Sequence, residues 1–311
     1  MSGTVEKALD LFSLSDANHR LIAARENQVF RIDFGDDTFA LRLHRPGYRS
    51  DQQLWSELQW MDAAAKGGLR VPAPIASTRG EVLHIVDGVQ VDLLSWISGC
   101  PIGAATKGIF VADRIGLFES LGHLLAKLHE VSDAWSLPDG FERPSWDRNG
   151  LVGETPVWHR FWDNPTLTPQ DRELLVTFRQ KADRELEGLN DQLDYGLIHA
   201  DLVRENVLID DGMLKFIDFD DGGFGYRLFD LATILISNFY EPDFPKLKKS
   251  LLEGYTSVRS LDLQWLDLFM VLRSATYVGW IIRRMDEPGA KERNARFVDR
   301  TRKLAQKYLE H

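Results

Sequence analysis

The chain has 311 residues, 44% hydrophobic and 27% charged, enough to bury a sizeable core in one large domain or two lobes. Its formal charge of −10 excludes a general affinity for nucleic acid, whose phosphates demand basic surface. Apolar runs are interrupted well before about 18 residues, which excludes a membrane-spanning helix.

The opening, MSGTVEKALDLF, has neither the basic start nor the apolar run of a secretory signal, and the single cysteine cannot close an intramolecular disulfide. Both lead to the expectation of a cytoplasmic protein, with Cys100 a small packed residue between Gly99 and Pro101. The first ninety residues read mainly as strands. NQVFRIDFGDDTFALRLHRPG holds two alternating runs around Gly35-Asp36-Asp37, a hairpin signal. In the second run Phe39, Leu41 and Leu43 share one face, so Ala40 and Arg42 take the other. Ser50 and Asp51 open a helix with Leu54, Leu58 and Met61 on one stripe and Glu57 beside it. Two short strands follow, EVLHIVDG and VQVDLLSWI, and SGCPIGAATKG reads as a connector.

From Asp113 the texture becomes helical, with Ile115, Phe118, Leu121, Leu125 and Leu128 at helical spacing. Residues 135–170 lose all periodicity and are rich in Trp, Pro, Gly and Asp; their tryptophans (Trp135, Trp146, Trp158, Trp162) are expected in core or lid packing, with the lining of an acceptor pocket the alternative for some. A helix is expected over 170–190, then a hairpin, then helices to the end. The fold class is therefore α+β, with a small antiparallel-sheet lobe over 1–98 and a larger helical lobe over 99–311 that carries the hairpin.

That hairpin holds the chemistry. In LIHADLVRENVLIDDGMLKFIDFDDG, Asp201 and Asn206 lie on a loop entering the strand Val207–Ile209, and the returning strand delivers Asp218. Pairing the two strands folds Asp218 back beside Asn206. Two hard oxygen ligands suit Mg²⁺, which prefers a couple of protein oxygens with phosphates and waters. Asp201 is then placed for an acceptor hydroxyl to approach a metal-bound phosphate. His123, His129 and His159 lack the companions of a zinc site, and no serine has a G-x-S-x-G context.

The pattern HADLVREN…IDFDDG…FDLA resembles the aminoglycoside phosphotransferase, choline kinase and homoserine kinase-like superfamily, relatives of the protein kinases, over nearly the whole chain. The resemblance implies a two-lobed protein-kinase-like fold and an ATP- and Mg²⁺-dependent transfer of the γ-phosphoryl group to a hydroxyl on a small molecule. It gives Asp201 the acceptor's proton, Asn206 and Asp218 the metal, and His199 and Asp230 the bracing of the loop. It makes LLSWISG the hinge, where the backbone of Ser95 and Ile97 would meet the adenine edge. Arg42 stands where relatives usually carry a lysine for the α- and β-phosphates, with Glu57 its partner. AARENQVF occupies the position of the glycine-rich loop, with Asn27 and Gln28 near the phosphates. Truncating Arg42 is then expected to impair ATP use without unfolding the protein. Asp220, Asp221, Glu241 and Asp243 have two readings, negative charge for an acceptor's ammonium group or a solvated acidic surface. A protein acceptor, a nucleotide-binding regulator without turnover and a metal-dependent hydrolase are the rival readings.

Overall fold

A computed structural model of the chain describes residues 2–24, 27–189 and 192–310. Its elements begin with α1 (Ser2–Leu11), β1 (Asn18–Ala24), β2 (Gln28–Phe34), β3 (Asp37–Leu43), α2 (Asp51–Lys66), β4 (His84–Val86) and β5 (Val89–Ser95). Three two-residue strands follow, β6 (Cys100–Pro101), β7 (Gly103–Ala104) and β8 (Gly108–Ile109), then α3 (Arg114–Ala134), β9 (Ser145–Trp146), α4 (Arg148–Val152) and α5 (Pro169–Gly188). The chain ends with β10 (Tyr195–Ile198), β11 (Val207–Asp210), β12 (Met213–Phe216), β13 (Gly223–Tyr226), α6 (Arg227–Ser237), α7 (Phe244–Thr256), α8 (Leu266–Trp280) and α9 (Ala290–Leu309). The architecture is α+β, with an antiparallel-sheet N-terminal region and a helical C-terminal region. Contacts group the chain into two units. One comprises residues 1–101, 131–143 and 207–220; the other comprises 102–130, 144–206 and 221–311.

The first unit is built on an antiparallel sheet of order β1-β2-β3-β5-β4. Its hairpins close where the turn residues stand: Phe34 pairs with Asp37 across Gly35-Asp36, and Val86 with Val89 across Asp87-Gly88, both of positive φ. One face of the sheet sends Ile32, Leu41, Leu43, Val91 and Leu93 into a core with Val5, Ala8 and Leu9 of α1. This helix lies in a stretch read as mainly strand. Helix α2 starts where expected: Ser50 Oγ accepts from the Gln53 backbone N–H (3.1 Å), and Gln53 Oε1 accepts from the Ser50 N–H (3.3 Å). This reciprocal cap satisfies two N–H groups that the first turn cannot.

The same unit holds the sheet β12-β11-β6. Val207 pairs with Phe216 and Asp210 with Met213, and the positive φ of Asp211 (48°) and Gly212 (74°) closes a tight two-residue turn. Cys100 pairs with Ile209 at the outer edge and is exposed, not packed. A two-residue strand bonded on one side leaves its other side to solvent.

In the second unit β10, β13 and β9 form a small sheet, and α8 packs between α6 and α9. Trp146 is fully buried and stacks on Phe229 at 5.2 Å; Trp158 and Trp162 are also buried, so these tryptophans are core. Among the described residues no helix is long and apolar enough to cross a membrane. Helices α3 and α7 touch backbone to backbone. A Cβ on Gly122 would lie 2.0 Å from the Leu251 carbonyl oxygen, and one on Gly254 would lie 2.0 Å from that of Glu119. Neither obstacle is a flexible side chain, so the helices would have to separate. Gly122→Ala, which would stabilise an isolated helix, should therefore cost on the order of 2 kcal/mol here. Gly188→Ala, in open space at the end of α5, should be neutral or stabilising; thermal midpoints of the two variants check the contrast.

Candidate active site

The loop after β10 is set by one buried carboxylate. Asp230, on α6, accepts the backbone N–H of His199 at Oδ2 (2.8 Å) and that of Ala200 at Oδ1 (2.7 Å). Ala200 is held at φ +64°, a left-handed conformation that costs an L residue about 1–2 kcal/mol unless its surroundings impose it. His129 of α3 lies 3.1 Å from Asp230 Oδ2 through Nε2 and 2.8 Å from Tyr255 Oη through Nδ1. Burial, then the charge of Arg227, pushes His129 down to about 4. The ring is thus neutral near pH 7, donating from Nε2 to the carboxylate and accepting from the tyrosine hydroxyl. Burial opposes charge on Asp230 as well, yet the His129 hydrogen bond keeps its carboxyl below the ordinary value.

Asp201 follows Ala200, and each of its oxygens has a donor. Oδ1 receives Arg273 Nη2 at 2.8 Å, and Oδ2 receives Asn206 Nδ2 at 3.1 Å. The same Nδ2 donates to the Asp201 carbonyl at 2.9 Å. Flipping the amide would set oxygen against oxygen twice, so Oδ1 of Asn206 is the outward atom, and among the described residues no donor meets it. It is a hard ligand of the kind Mg²⁺ takes. The sequence reading missed Arg273. Its signal was an arginine inside the otherwise apolar run LFMVLRSATYVGW.

In the first unit, Asp218 lies two residues beyond the last pair of β12, at φ +68°. The backbone after it is held by two arginines. Arg143 Nη2 donates to the carbonyls of Phe219 (2.9 Å) and Asp220 (2.6 Å), and Arg49 Nη2 to that of Asp220 (2.9 Å). Asp220 is itself buried; burial, then the charge of Glu57, pushes its carboxyl up.

Arg42 and Glu57 do pair, at 2.7 Å, within a larger buried cluster. Arg42 also binds Asp92 through Nε and Nη2 (both 2.8 Å), His44 meets Asp92 at 2.7 Å, and Arg143 meets Glu57 at 3.2 Å. Burial disfavours every charge here. Even so, Asp92 and then Glu57 hold Arg42 protonated, and Arg42 keeps the Asp92 carboxyl well below its ordinary range. Truncating Arg42 would strand two buried carboxylates, so a loss of stability is expected beside any effect on ATP use. Among the described residues, three of its five N–H groups have an acceptor and two have none.

Asn27 accepts the Arg45 N–H at 3.2 Å; residues 25 and 26 of the same loop lie outside those described. The Ser95 N–H is used by Ala73 (2.8 Å), whereas among the described residues that of half-buried Ile97 has no partner. In the second unit, Glu241 and Asp243 are not free for a cationic ligand. Arg114 binds both at 2.6 Å, and Arg204 binds Glu241 at 2.6 Å. Among the described residues no group of three or more His, Cys, Asp or Glu could hold a metal alone.

Residues 19–269 match the model of the phosphotransferase enzyme family. The chain belongs to that family. It is 25% identical to an amicoumacin kinase of Bacillus subtilis (strain 168), over 88% of this chain and 83% of that one. It is 26% identical to a homoserine kinase of Brucella abortus (strain S19), over 84% and 76%. A microcompartment-associated aminopropanol kinase superposes with a TM-score of 0.86 at 28% identity, covering 100% of this chain and 98% of that one. The chain is accordingly a kinase-like phosphotransferase in fold and family.

Two outcomes follow from the buried charges. Arg42→Ala should lose on the order of 3–5 kcal/mol of stability, and Arg42→Lys less; denaturant titration measures both. His129 ordinarily titrates near about 6.5, so below that pH the unfolded chain binds a proton that the folded chain refuses. Its contribution is complete above that pH and is lost as pH falls towards about 4. This amounts to on the order of 3 kcal/mol. Stability measured across that window should fall less steeply in His129→Gln than in the wild type, and parallel slopes would dismiss the assignment.

Proposed function

We propose that this phosphotransferase moves the γ-phosphoryl group of ATP to a hydroxyl of a small metabolite. The observation that carries the reading is the Asp201 carboxylate, 23% exposed on a braced loop and gripped at both oxygens, in a chain of this family. Asp201 takes or orients the acceptor's proton, which asks for correct placement more than for an unusual basicity. Asn206 and Asp218 are the metal ligands in this proposal, and Mg²⁺ would neutralise charge on the phosphates. Arg42 with Glu57, Asn27 and the backbone of Ser95 and Ile97 are assigned to the nucleotide. For Arg42 the two uncommitted N–H groups are what remains for a phosphate oxygen. A cytoplasmic location, where ATP is abundant and Cys100 stays reduced, accompanies this reading.

A small acceptor is favoured over a protein by the segment after Asp218. Asp218 and Asp230 are twelve residues apart, and Gly223–Tyr226 are all paired with β10 before α6 begins. A peptide platform needs free chain, and little is left. The relatives named above are kinases of aminopropanol, homoserine and amicoumacin, so the acceptor belongs among small hydroxyl compounds. A metal-dependent hydrolase or a silent nucleotide sensor would not need Asp201 held for an incoming hydroxyl.

The test is ADP release over a metabolite panel that includes homoserine and aminopropanol. Asp201→Asn should keep MgATP binding, measured calorimetrically, and lose roughly 10²-fold or more in turnover. Asp218→Ala should weaken nucleotide binding only when Mg²⁺ is present. Full turnover in Asp201→Asn would remove Asp201 from the mechanism, and efficient Asp201-dependent phosphorylation of a folded protein, with no metabolite active, would overturn the choice of acceptor.

A further inference from the structure

We infer that Arg273 is the residue that positions Asp201 for phosphoryl transfer, a role that rests on the assignment of Asp201 above. Arg273 lies in the middle of α8 and is fully buried. Its Nη2 is 2.8 Å from Asp201 Oδ1 and 2.8 Å from Tyr277 Oη. Its guanidinium carbon lies 4.3 Å from the ring centre of Tyr277, 4.7 Å from that of Trp158 and 5.3 Å from that of Phe229. The rings hold the planar cation by stacking and charge–quadrupole attraction, and they shield the guanidinium from water.

The arrangement is poor for stability alone. Among the described residues Arg273 Nε has no partner, and the contact of Nη1 with Thr276 Oγ1 is stretched to 3.5 Å. A buried N–H left unpaired costs about 1–3 kcal/mol, and a buried cation generally does no better than a well-packed apolar side chain. What the guanidinium does achieve is directional. With Arg273 on Oδ1 and Asn206 on Oδ2, rotating the Asp201 carboxylate breaks both bonds at once. Each oxygen still keeps a lone-pair site for an incoming hydroxyl. A misplacement of about 1 Å at such a group can cost on the order of 10²-fold in rate, so a fixed rotamer is where the retained charge has its effect.

The experiment compares Arg273→Gln and Arg273→Lys in the wild-type and Asp201→Asn backgrounds. Phosphate transfer from radiolabelled ATP is followed to homoserine, to aminopropanol and to water. Arg273→Gln should lower kcat by roughly 10- to 100-fold with the KM for MgATP within about threefold of wild type. Arg273→Lys should recover part of that loss, since it keeps charge but not the planar fork. In the Asp201→Asn background Arg273→Gln should have almost no further effect, because a residue acting through Asp201 has nothing left to position. Unchanged kcat in Arg273→Gln, or a loss of equal factor in both backgrounds, would overturn the inference while leaving the role of Asp201 intact. Full activity in Asp201→Asn would overturn both. Should the Arg273 variants fail to fold, Tyr277→Phe keeps the ring and removes one anchor of the guanidinium. It should lower kcat several-fold in the wild-type background alone; no change there would also overturn the inference.

Discussion

The Asp230 carboxylate, inside the second unit, receives two consecutive backbone N–H groups of the loop after β10 and the side chain of a neutral histidine. Successive amides can converge on one carboxylate only if the chain between them turns sharply, and Ala200 at φ +64° is that turn. Removing the carboxylate would leave buried donors unpaired and release a strained residue next to Asp201. The direction in which Asp201 leaves the backbone, and therefore its reach to Arg273 and Asn206, follows from this anchor.

The two units handle buried charge in different ways. In the first, Arg42 and Arg143 face Glu57 and Asp92, so the cations and carboxylates balance, with His44 closing the end. Such a cluster resists any single truncation, because each member is the counterion of another. In the second, Arg273 has, among the described residues, a single carboxylate and a set of aromatic faces. In the first arrangement a guanidinium serves two carboxylates at once, where an ammonium would serve them as a point.

Much of this was legible in the residues because local chemistry specified it. Gly35-Asp36, Asp87-Gly88 and Asp211-Gly212 are turn formers and close hairpins. Ser50 with Gln53 is a helix cap. The stretch that holds His199, Asp201, Asn206 and Asp218 carried the likeness to the family, and that family matches residues 19–269. What could not be read depends on partners distant in sequence. Asp92 faces Arg42 only because β3 and β5 are neighbours, and no local pattern states that register. Glu241 and Asp243 look like open acidic surface until Arg114 and Arg204 are seen upon them. Helix α1 has Val5, Ala8 and Leu9 at helical spacing, but its ten residues are too few to show against a strand-rich background. A single cut after residue 98 likewise does not anticipate the grouping of 131–143 and 207–220 with the first hundred residues.

That discontinuity bears on how the protein is made. Chains leave the ribosome from the amino end, at roughly 5–20 residues per second, and domains ordinarily fold as they emerge. The first unit cannot finish in that order. Trp60 is covered by Phe219, the carbonyl of Arg70 receives the Phe216 N–H, Ser98 is bound by Lys215, and Cys100–Pro101 pairs with β11. Each of these closures waits for chain synthesised more than a hundred residues later. Until then the partners that Arg143 and Phe219 give to Glu57 and Trp60 of α2 are missing. The amino-terminal hundred residues are thus a dependent folding unit, completed only when the β11–β12 hairpin returns to them.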